Sequence, residues 1–298
     1  MSRTVYVIGE ALVDVVRMAG SINEIPGGSP ANVACGLGRL GVETTFLTHL
    51  AVDGRGQALV RHLTEAGVRL ADGSSSAART STATAIIDRD GVASYEFDLE
   101  WALPEKVQIP PARIVHTGSI ASFLEPGASS VAKLLRRARG SSLISYDPNI
   151  RPSIIGYRFD NIEAFESIAS LSDVVKLSDE DSKWLYPDLS IEASMEHILD
   201  LGPTLVAMTR GSAGSTLMTQ GFYVEIRPVK VNVVDTIGAG DTYMASLLYS
   251  LLDVDPAQLL ESGLRLIGER AAVAAAITVS RPGADLPTFT EVNSALAR

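Results

Sequence analysis

Short apolar runs rich in valine and isoleucine recur along this chain, and they constrain its fold more than any other feature. The runs are Val5–Ile8, Thr45–Leu50, Ile114–Thr117, Leu143–Tyr146, Val174–Leu177 and Leu205–Thr209. Amphipathic stretches lie between several of them, at Pro30–Leu40, Gly56–Ala66 and Ser129–Ala138. Almost continuously apolar strands that alternate with helices are typical of a mainly parallel sheet covered by helices. The sequence therefore predicts an α/β fold.

Two stretches interrupt this alternation, at residues 12–25 and about 79–103. Both resemble strands and hairpins with no helix between them, and Asp88 to Gly91 resemble a tight turn. Together they are expected to form a small β-sheet that projects from the main domain and serves as a lid. The alternative is an antiparallel edge on the main sheet. Because no repeat or linker marks a second domain, residues 1–298 are predicted to form one domain with this lid inserted in it.

The charge and cysteine content narrow the classes of function. Lysine plus arginine number 25 against 35 for aspartate plus glutamate, a net charge of −10. This balance argues against binding to nucleic acid or to an anionic membrane. The apolar stretch Ala271–Val279 is too short to span a bilayer. The single cysteine, Cys35, and the lack of a signal-peptide pattern predict a cytoplasmic protein, and the four histidines show no metal-ligand spacing.

The segment DTIGAGD, residues 235–241, precedes a run of helical apolar spacing. Gly238 and Gly240 permit a tight turn, so the free amides of Gly238, Ala239 and Gly240 are expected to point at one spot and bind an anion. Asp241 is then placed to accept a proton from a hydroxyl that attacks a phosphoryl group. The alternative is a glycine turn with Asp241 as a simple helix cap.

A second glycine-rich segment, GGSPANVACGLGRLG at residues 27–41, supports the first interpretation. Two glycines precede Ser29, which is expected to cap a helix, and Pro30 in the first helical turn. Together with DTIGAGDTYMASLL, this segment resembles the paired motifs of the ribokinase-like (PfkB) carbohydrate kinases. The resemblance runs across essentially the whole chain and implies an ATP-dependent sugar kinase with Asp241 as its base.

The resemblance also implies the residues that bind the sugar. Asp14 in GEALVDVV matches the aspartate of the first lid strand, and the helix mouth at residues 27–32 matches the part that holds sugar hydroxyls. DPNIRPSI, residues 147–154, is similar to the segment of fructokinases and 2-keto-3-deoxygluconate kinases. Fructose is therefore the leading acceptor; 2-keto-3-deoxygluconate, ribose and nucleosides remain alternatives. The implied sugar-binding residues are Asp14, Gly27, Gly28, Asn32, Arg79, Phe97, Arg151 and Asp241.

Nucleotide and metal sites follow from the same resemblance. KLSDEDSKWL, residues 176–185, resembles the segment that positions magnesium and the triphosphate, with Ser178 and either Glu180 or Asp181 in the matching positions. Mg²⁺ keeps several waters, so either carboxylate and Asn149 are expected to act through water. The other implied nucleotide contacts are Thr209, Gly211, Gly214 and Gly240. A potassium site is implied at Asp235, Ile237, Thr278, Arg281 and Gly283.

The sequence argues against two other classes of enzyme and leaves one alternative function open. The chain has no GxxxxGK[ST] motif and no GxGxxG after its first strand, which argues against a Walker-type ATPase and a Rossmann dehydrogenase. A non-catalytic regulator that binds a sugar or a nucleotide is a rival of a different class, and the intact Asp241 speaks against it. The family resemblance also implies a homodimer formed through the lid.

Overall fold

The computed structural model describes residues 3–18, 21–87 and 93–297. Its strands are β1 Thr4–Ile8, β2 Leu12–Met18, β3 Ser21–Gly27, β4 Glu43–Leu47, β5 Val68–Leu70, β6 Thr82–Ile87, β7 Ala93–Asp98, β8 Ile114–Gly118, β9 Leu143–Asp147, β10 Val174–Ser178, β11 Leu205–Thr209, β12 Ser215–Met218 and β13 Tyr223–Ile226. Its helices are α1 Ser29–Arg39, α2 Gly54–Glu65, α3 Gly127–Ala138, α4 Pro152–Ile155, α5 Arg158–Ala169, α6 Asp179–Leu185, α7 Ile191–Asp200, α8 Ala239–Leu251, α9 Glu261–Val279 and α10 Phe289–Leu296.

Nine strands form the large sheet, in the order β13-β12-β11-β10-β9-β8-β1-β4-β5. The strands from β11 to β5 are parallel to one another, whereas β12 pairs antiparallel with both β11 and β13. Five of the six apolar runs of the sequence lie wholly on strands of this sheet, and the run Thr45–Leu50 lies on β4 as far as Leu47. The prediction of a mainly parallel α/β fold is therefore confirmed.

Helices cover both faces of the large sheet. Since successive residues of a strand point to opposite sides, each strand contributes side chains to both of the cores that result. In β1, Val5 and Val7 pack into a core with α1, α2, α8, α9 and α10, whereas Tyr6 and Ile8 pack into a second core with α3, α5, α6 and α7. This burial on both faces explains why the strands are apolar without alternation. Among the helices of the described residues, none is long and apolar enough to cross a bilayer.

The strands predicted as a lid form a separate sheet, in the order β3-β2-β6-β7. They are not an edge of the large sheet, so the prediction of a small independent sheet is confirmed. Lateral pairing places Asp14 beside Ile25 and Ala83, and Ala83 beside Phe97, so these side chains share one face. The predicted turn at Asp88 to Gly91 lies outside the described residues.

The carboxyl ends of the parallel strands meet along one edge of the large sheet. Gly118, Asp147, Ser178 and Thr209 are the last residues of β8, β9, β10 and β11. Ligands of open α/β sheets bind outside this edge. Ser178 and Thr209, two of the predicted nucleotide contacts, lie at this edge.

Candidate active site

The start of α8 is shaped by a glycine in a left-handed conformation. Gly238 precedes the first helical residue with φ 76°, and a Cβ at this position would lie 2.8 Å from the Cβ of Ala284. Only glycine fits both the conformation and the space. The first amides of a helix have no partner within that helix. The Ala239 amide donates a long hydrogen bond of 3.3 Å to the Thr236 carbonyl oxygen, and the sequence prediction of an anion site at residues 238–240 stays a prediction.

Asp241 lies in the first turn of α8 and is held by α1. Its Oδ1 accepts a hydrogen bond from the Ser29 hydroxyl at 2.7 Å, and its Oδ2 accepts one from the Asn32 Nδ2 at 2.8 Å. All three residues are buried. Two donors fix both oxygens of the carboxylate, so the group is oriented rather than free to rotate. The two glycine-rich motifs thus meet across 212 positions of sequence.

The expectation that Ser29 caps α1 is wrong. The N-cap is Gly28, with φ 101°, and this residue has no side chain that could bond the first amides of the helix. The Ser29 hydroxyl is oriented toward Asp241 instead. A capping role satisfies a local amide, whereas this contact orients a buried carboxylate, and the tertiary contact prevails. A Cβ at Gly28 would also lie 2.8 Å from the carbonyl oxygen of Glu10, so position 28 requires glycine.

Several predicted sugar-binding residues lie together at the base of the small sheet. The Asp14 carboxylate packs on Gly27, where a Cβ would lie 2.1 Å from its Oδ2. Burial of the carboxyl by neighbouring atoms raises the pKa of Asp14, although the residue remains exposed to solvent, and the Arg151 guanidinium opposes part of that rise. Arg151, which precedes α4, therefore acts on Asp14 electrostatically from the segment that follows β9. Phe97 shares the face of Asp14 and is half-buried, with its ring stacked on Tyr95.

The structure does not place Arg79 beside Asp14 and Phe97. Its guanidinium forms a forked ion pair with Asp98, at 2.8 Å and 2.9 Å from Nε to the two carboxylate oxygens. Asp98 follows Phe97 in β7 and so points to the opposite face of the small sheet. Trp101, a further aromatic residue of the stretch at residues 79–103, is buried in the core that α3, α5, α6 and α7 form with the large sheet. It donates its Nε1–H to the Ala121 carbonyl oxygen.

The predicted nucleotide contacts lie at the ends of β10 and β11. Thr209 ends β11, and the turn that follows has Gly211 at φ 48° and Gly214 at φ 92°. A Cβ at Gly214 would lie 2.2 Å from the carbonyl oxygen of Ile226, so this turn also requires glycine. Ser178 is the N-cap of α6 and forms a capping box with Asp181.

Contacts within the protein separate the two candidate magnesium carboxylates. Asp181 is buried, and its oxygens accept backbone amides from Ile150 at 2.8 Å and Ser178 at 3.0 Å. Glu180 is exposed. Asn149 lies nearby in sequence with φ 35°, and its amide bonds the Asp147 carboxylate. Within residues 3–18, 21–87 and 93–297, no three histidine, cysteine or acidic side chains form a metal cluster.

The five residues of the predicted potassium site belong to two adjoining segments. The Asp235 carboxylate accepts the amides of Ile237 at 3.0 Å and Gly283 at 2.8 Å, and these backbone hydrogen bonds lower its pKa. Thr278 is buried and its hydroxyl bonds that of Thr242. Arg281 pairs with Asp285 and Glu291. A guanidinium is a cation without acceptor atoms, so residue 281 offers only its backbone carbonyl oxygen to a potassium ion.

Two buried ionisable groups at this edge were missed by the sequence reasoning. Glu10 follows β1, is buried, and accepts the Ala121 amide at 3.1 Å through its Oε2. Lys176 of β10 is buried and pairs with Asp147 at 2.8 Å between Nζ and Oδ2. A charged residue inside or just after an apolar strand was the available signal, because such residues are rarely buried without a partner.

Burial raises the pKa of Glu10 to about 8, with a smaller contribution from the charge of Asp241. The unfolded chain releases this proton near pH 4.5, whereas the folded protein retains it. The free energy of unfolding should therefore fall as the pH rises between these two values and then level off. The free energy of unfolding of Glu10→Gln, measured by urea unfolding, should fall less from pH 5 to pH 8.5 than that of the wild type. Parallel curves for the two proteins would contradict the assignment.

The fold and the edge at which these residues meet define the class of ribokinase-like α/β proteins. A fructokinase from Xylella fastidiosa with bound ATP superposes on the chain with a TM-score of 0.86, at 25% identity, covering 100% of this chain and 99% of that one. A Vibrio cholerae fructokinase double mutant with fructose, ADP and potassium gives 0.84 at 27% identity, covering 99% and 98%.

The sequence comparison gives the family itself. The model described as pfkB family carbohydrate kinase matches residues 2–291. A fructokinase from Rhizobium leguminosarum bv. trifolii is 33% identical over 255 residues, which cover 82% of this chain and 78% of the relative. This chain belongs to the pfkB family of carbohydrate kinases, and the family prediction is confirmed.

Proposed function

We propose that this protein transfers the γ-phosphoryl group of ATP to a hydroxyl of fructose. The observation that carries the proposal is the buried Asp241, fixed by Ser29 and Asn32 at the glycine-rich start of α8. The fructokinase relatives with ATP, or with fructose and ADP, support fructose as the acceptor and ATP as the donor.

In the proposed reaction, a bond forms between the fructose hydroxyl oxygen and the γ-phosphorus while the bond from that phosphorus to the β-γ bridging oxygen breaks. Asp241 takes the proton of the hydroxyl, and ADP leaves with the bridging oxygen. The amides of residues 238–240 stabilise the negative charge on the transferring group. The two hydrogen bonds on Asp241 keep its carboxylate in one orientation, which a base needs more than high basicity when proton transfer is late.

The remaining residues are assigned by position. Asp14, Gly27, Gly28, Phe97 and Arg151 bind the sugar in this proposal, and Ser178, Thr209, Gly211 and Gly214 bind the nucleotide. Magnesium would be held through water by Glu180 and Asn149, since the oxygens of Asp181 already accept two amides. Potassium would lie at residues 235–237 and 278–283 and be bound by carbonyl oxygens. The whole chain then forms one kinase domain with the small sheet as its lid, working in the cytoplasm.

The face of the small sheet that carries Asp14 supports a homodimer. Ile25 and Tyr95 lie on this face and are 41% and 64% exposed, and Met18 at its far end is 50% exposed. Apolar residues clustered on one exposed face are typical of an interaction surface.

We expect Tyr95→Glu to lower the mass measured by sedimentation equilibrium from that of a dimer to that of a monomer. Val52→Glu, a change at an exposed valine outside this sheet, is the control, and an unchanged mass for Tyr95→Glu would contradict the dimer.

An assay of ADP release over a panel of sugars tests the function. Fructose should give the highest kcat/KM among fructose, 2-keto-3-deoxygluconate, ribose and a nucleoside, with magnesium required and with potassium varied separately. If another acceptor were phosphorylated in preference to fructose, the protein would be a kinase of that acceptor rather than a fructokinase. Binding of sugar and ATP without any turnover would favour the non-catalytic regulator.

A further inference from the structure

The ends of β1 and β8 mark the point at which the strand order of the large sheet reverses. From β1 the chain adds β4 and β5 on one side, and from β8 it adds β9, β10 and β11 on the other side. Ligands of open α/β sheets bind in the crevice that opens at such a point. Glu10 follows β1 here, and the turn Ser119–Ser122 follows β8. These two segments therefore border the crevice in which a substrate would bind.

The Glu10 side chain joins the two segments. Glu10 is 5% exposed, and its Oε2 accepts the Ala121 amide at 3.1 Å. Burial raises the pKa of Glu10, and a hydrogen bond with the Ser119 side chain opposes part of that rise. Ser119 is buried at φ 57°, a conformation that residues other than glycine seldom adopt unless their surroundings enforce it. Glu10 thus holds a strained turn at the end of β8.

The backbone beside this side chain packs on the start of α1. A Cβ at Gly9 would collide with the ring of Pro30, and a Cβ at Gly28 would lie 2.8 Å from the Glu10 carbonyl oxygen. α1 carries the two donors that fix the Asp241 carboxylate. Because only backbone atoms of Glu10 contact Gly28, a substitution of its side chain should leave these donors in place.

The small sheet begins directly after Glu10. β2 starts at Leu12, and Asp14, which is proposed to bind the sugar, is its third residue. Leu12 and Val13 are buried, so packing fixes the start of the strand. Since the chain runs without a break from Glu10 into β2, the position of Asp14 at the crevice depends on where Glu10 is held.

We propose that Glu10 is a positioning residue for the sugar, whose carboxyl group ties the start of β2 to the turn after β8 and so sets the position of Asp14. This inference rests on the proposed kinase function. A purely structural hydrogen bond is the competing explanation, because a buried carboxyl group that accepts an amide stabilises a fold wherever it occurs. The two explanations differ in what they predict for the KM of fructose.

Steady-state kinetics of three substitutions at position 10 test the inference. In Glu10→Ala, the KM for fructose should rise roughly 10-fold, because a small displacement of a binding group has a large effect. The KM for ATP and kcat should stay within about threefold of the wild type, since the backbone contacts with α1 persist. Glu10→Gln keeps the length and an oxygen acceptor for the Ala121 amide, so it should restore the KM for fructose. Glu10→Asp keeps the acid but is one methylene shorter, so it should resemble Glu10→Ala.

Asp173→Ala is the matched control. The half-buried Asp173 carboxylate accepts the Ile144 amide at 2.7 Å, so this side chain also joins two neighbouring strands. Asp173 precedes β10, however, and therefore lies at the amino ends of the strands, away from the crevice. The control should lower the free energy of unfolding, measured in urea alongside the Glu10 variants, and leave the KM for fructose unchanged.

The outcomes separate the inference from the proposed function. A KM for fructose that rises in Glu10→Ala and Glu10→Asp and is restored in Glu10→Gln would support the inference. An unchanged KM for fructose in folded Glu10→Ala would overturn it, as would an equal rise in Glu10→Gln or in Asp173→Ala. If Glu10→Ala does not fold, Glu10→Asp decides by the same criteria. A wild-type protein that phosphorylates no sugar would instead overturn the proposed function.

Discussion

Replacing Asp241 by asparagine is expected to lower kcat for fructose phosphorylation by at least ~10²-fold. Asparagine keeps the size of the side chain and can still accept the hydrogen bond from Ser29 or Asn32, but it cannot take a proton. The variant should therefore fold normally and bind ATP with nearly unchanged affinity. Steady-state kinetics and calorimetric titration with ATP in the absence of sugar measure the two quantities.

The matched control for this prediction is Asp255→Asn. Asp255 also accepts a hydrogen bond from a nearby backbone amide, that of Ala257. It is exposed, however, and it lies in the segment between α8 and α9 rather than at the start of α8. Its kcat should equal that of the wild type. A kcat within a factor of three of the wild type for Asp241→Asn would remove Asp241 from the role of base.

Replacing Asp14 by alanine is expected to raise the KM for fructose roughly 10- to 100-fold with little change in the KM for ATP. A hydrogen bond to a charged group contributes about 1.5–3 kcal/mol, and a carboxylate can accept two sugar hydroxyls at once. Asp14 has no hydrogen-bond donor from a side chain among the described residues, so its exposed oxygens are open to a ligand.

Glu96→Ala provides the comparison for Asp14. Glu96 is an exposed acid of the same small sheet, but it alternates with Tyr95 and Phe97 and so points to the other face. It removes a similar charge at a similar exposure, and it should leave both KM values unchanged. Equal effects of the two substitutions would show that general charge, rather than contact with the sugar, controls KM.

Features that depend on local sequence were predictable. The strands of the large sheet follow from apolar runs, and the turns at Gly214 and Gly238 follow from the positive φ that glycine alone adopts without cost. The two glycine-rich motifs indicated the site because each carries its own backbone geometry. The alternation of β7 also determines that Phe97 and Asp98 point to opposite faces, which is why Arg79, paired with Asp98, lies away from Phe97 and the other residues proposed to bind the sugar.

Features that depend on contacts between distant segments were not predictable from one sequence. Ser29 satisfies the local rule for a helix cap, yet its hydroxyl serves a carboxylate in α8. The choice between Glu180 and Asp181 depends on the amide of Ile150, which belongs to another strand end. Lys176 and Glu10 are ordinary charged residues in the sequence, and only the packing of several elements makes them buried neighbours of Asp241.

The direct connection of β3 to α1 has a mechanical consequence. β3 ends at Gly27 and α1 begins at Ser29, so one residue separates the small sheet from the helix that orients Asp241. A displacement of β3 would shift Ser29 and Asn32, and with them the two hydrogen bonds on the Asp241 carboxylate. The proposed base would then be fully oriented only when the small sheet is in its working position, which would limit the wasteful transfer of phosphate to water when no sugar is bound.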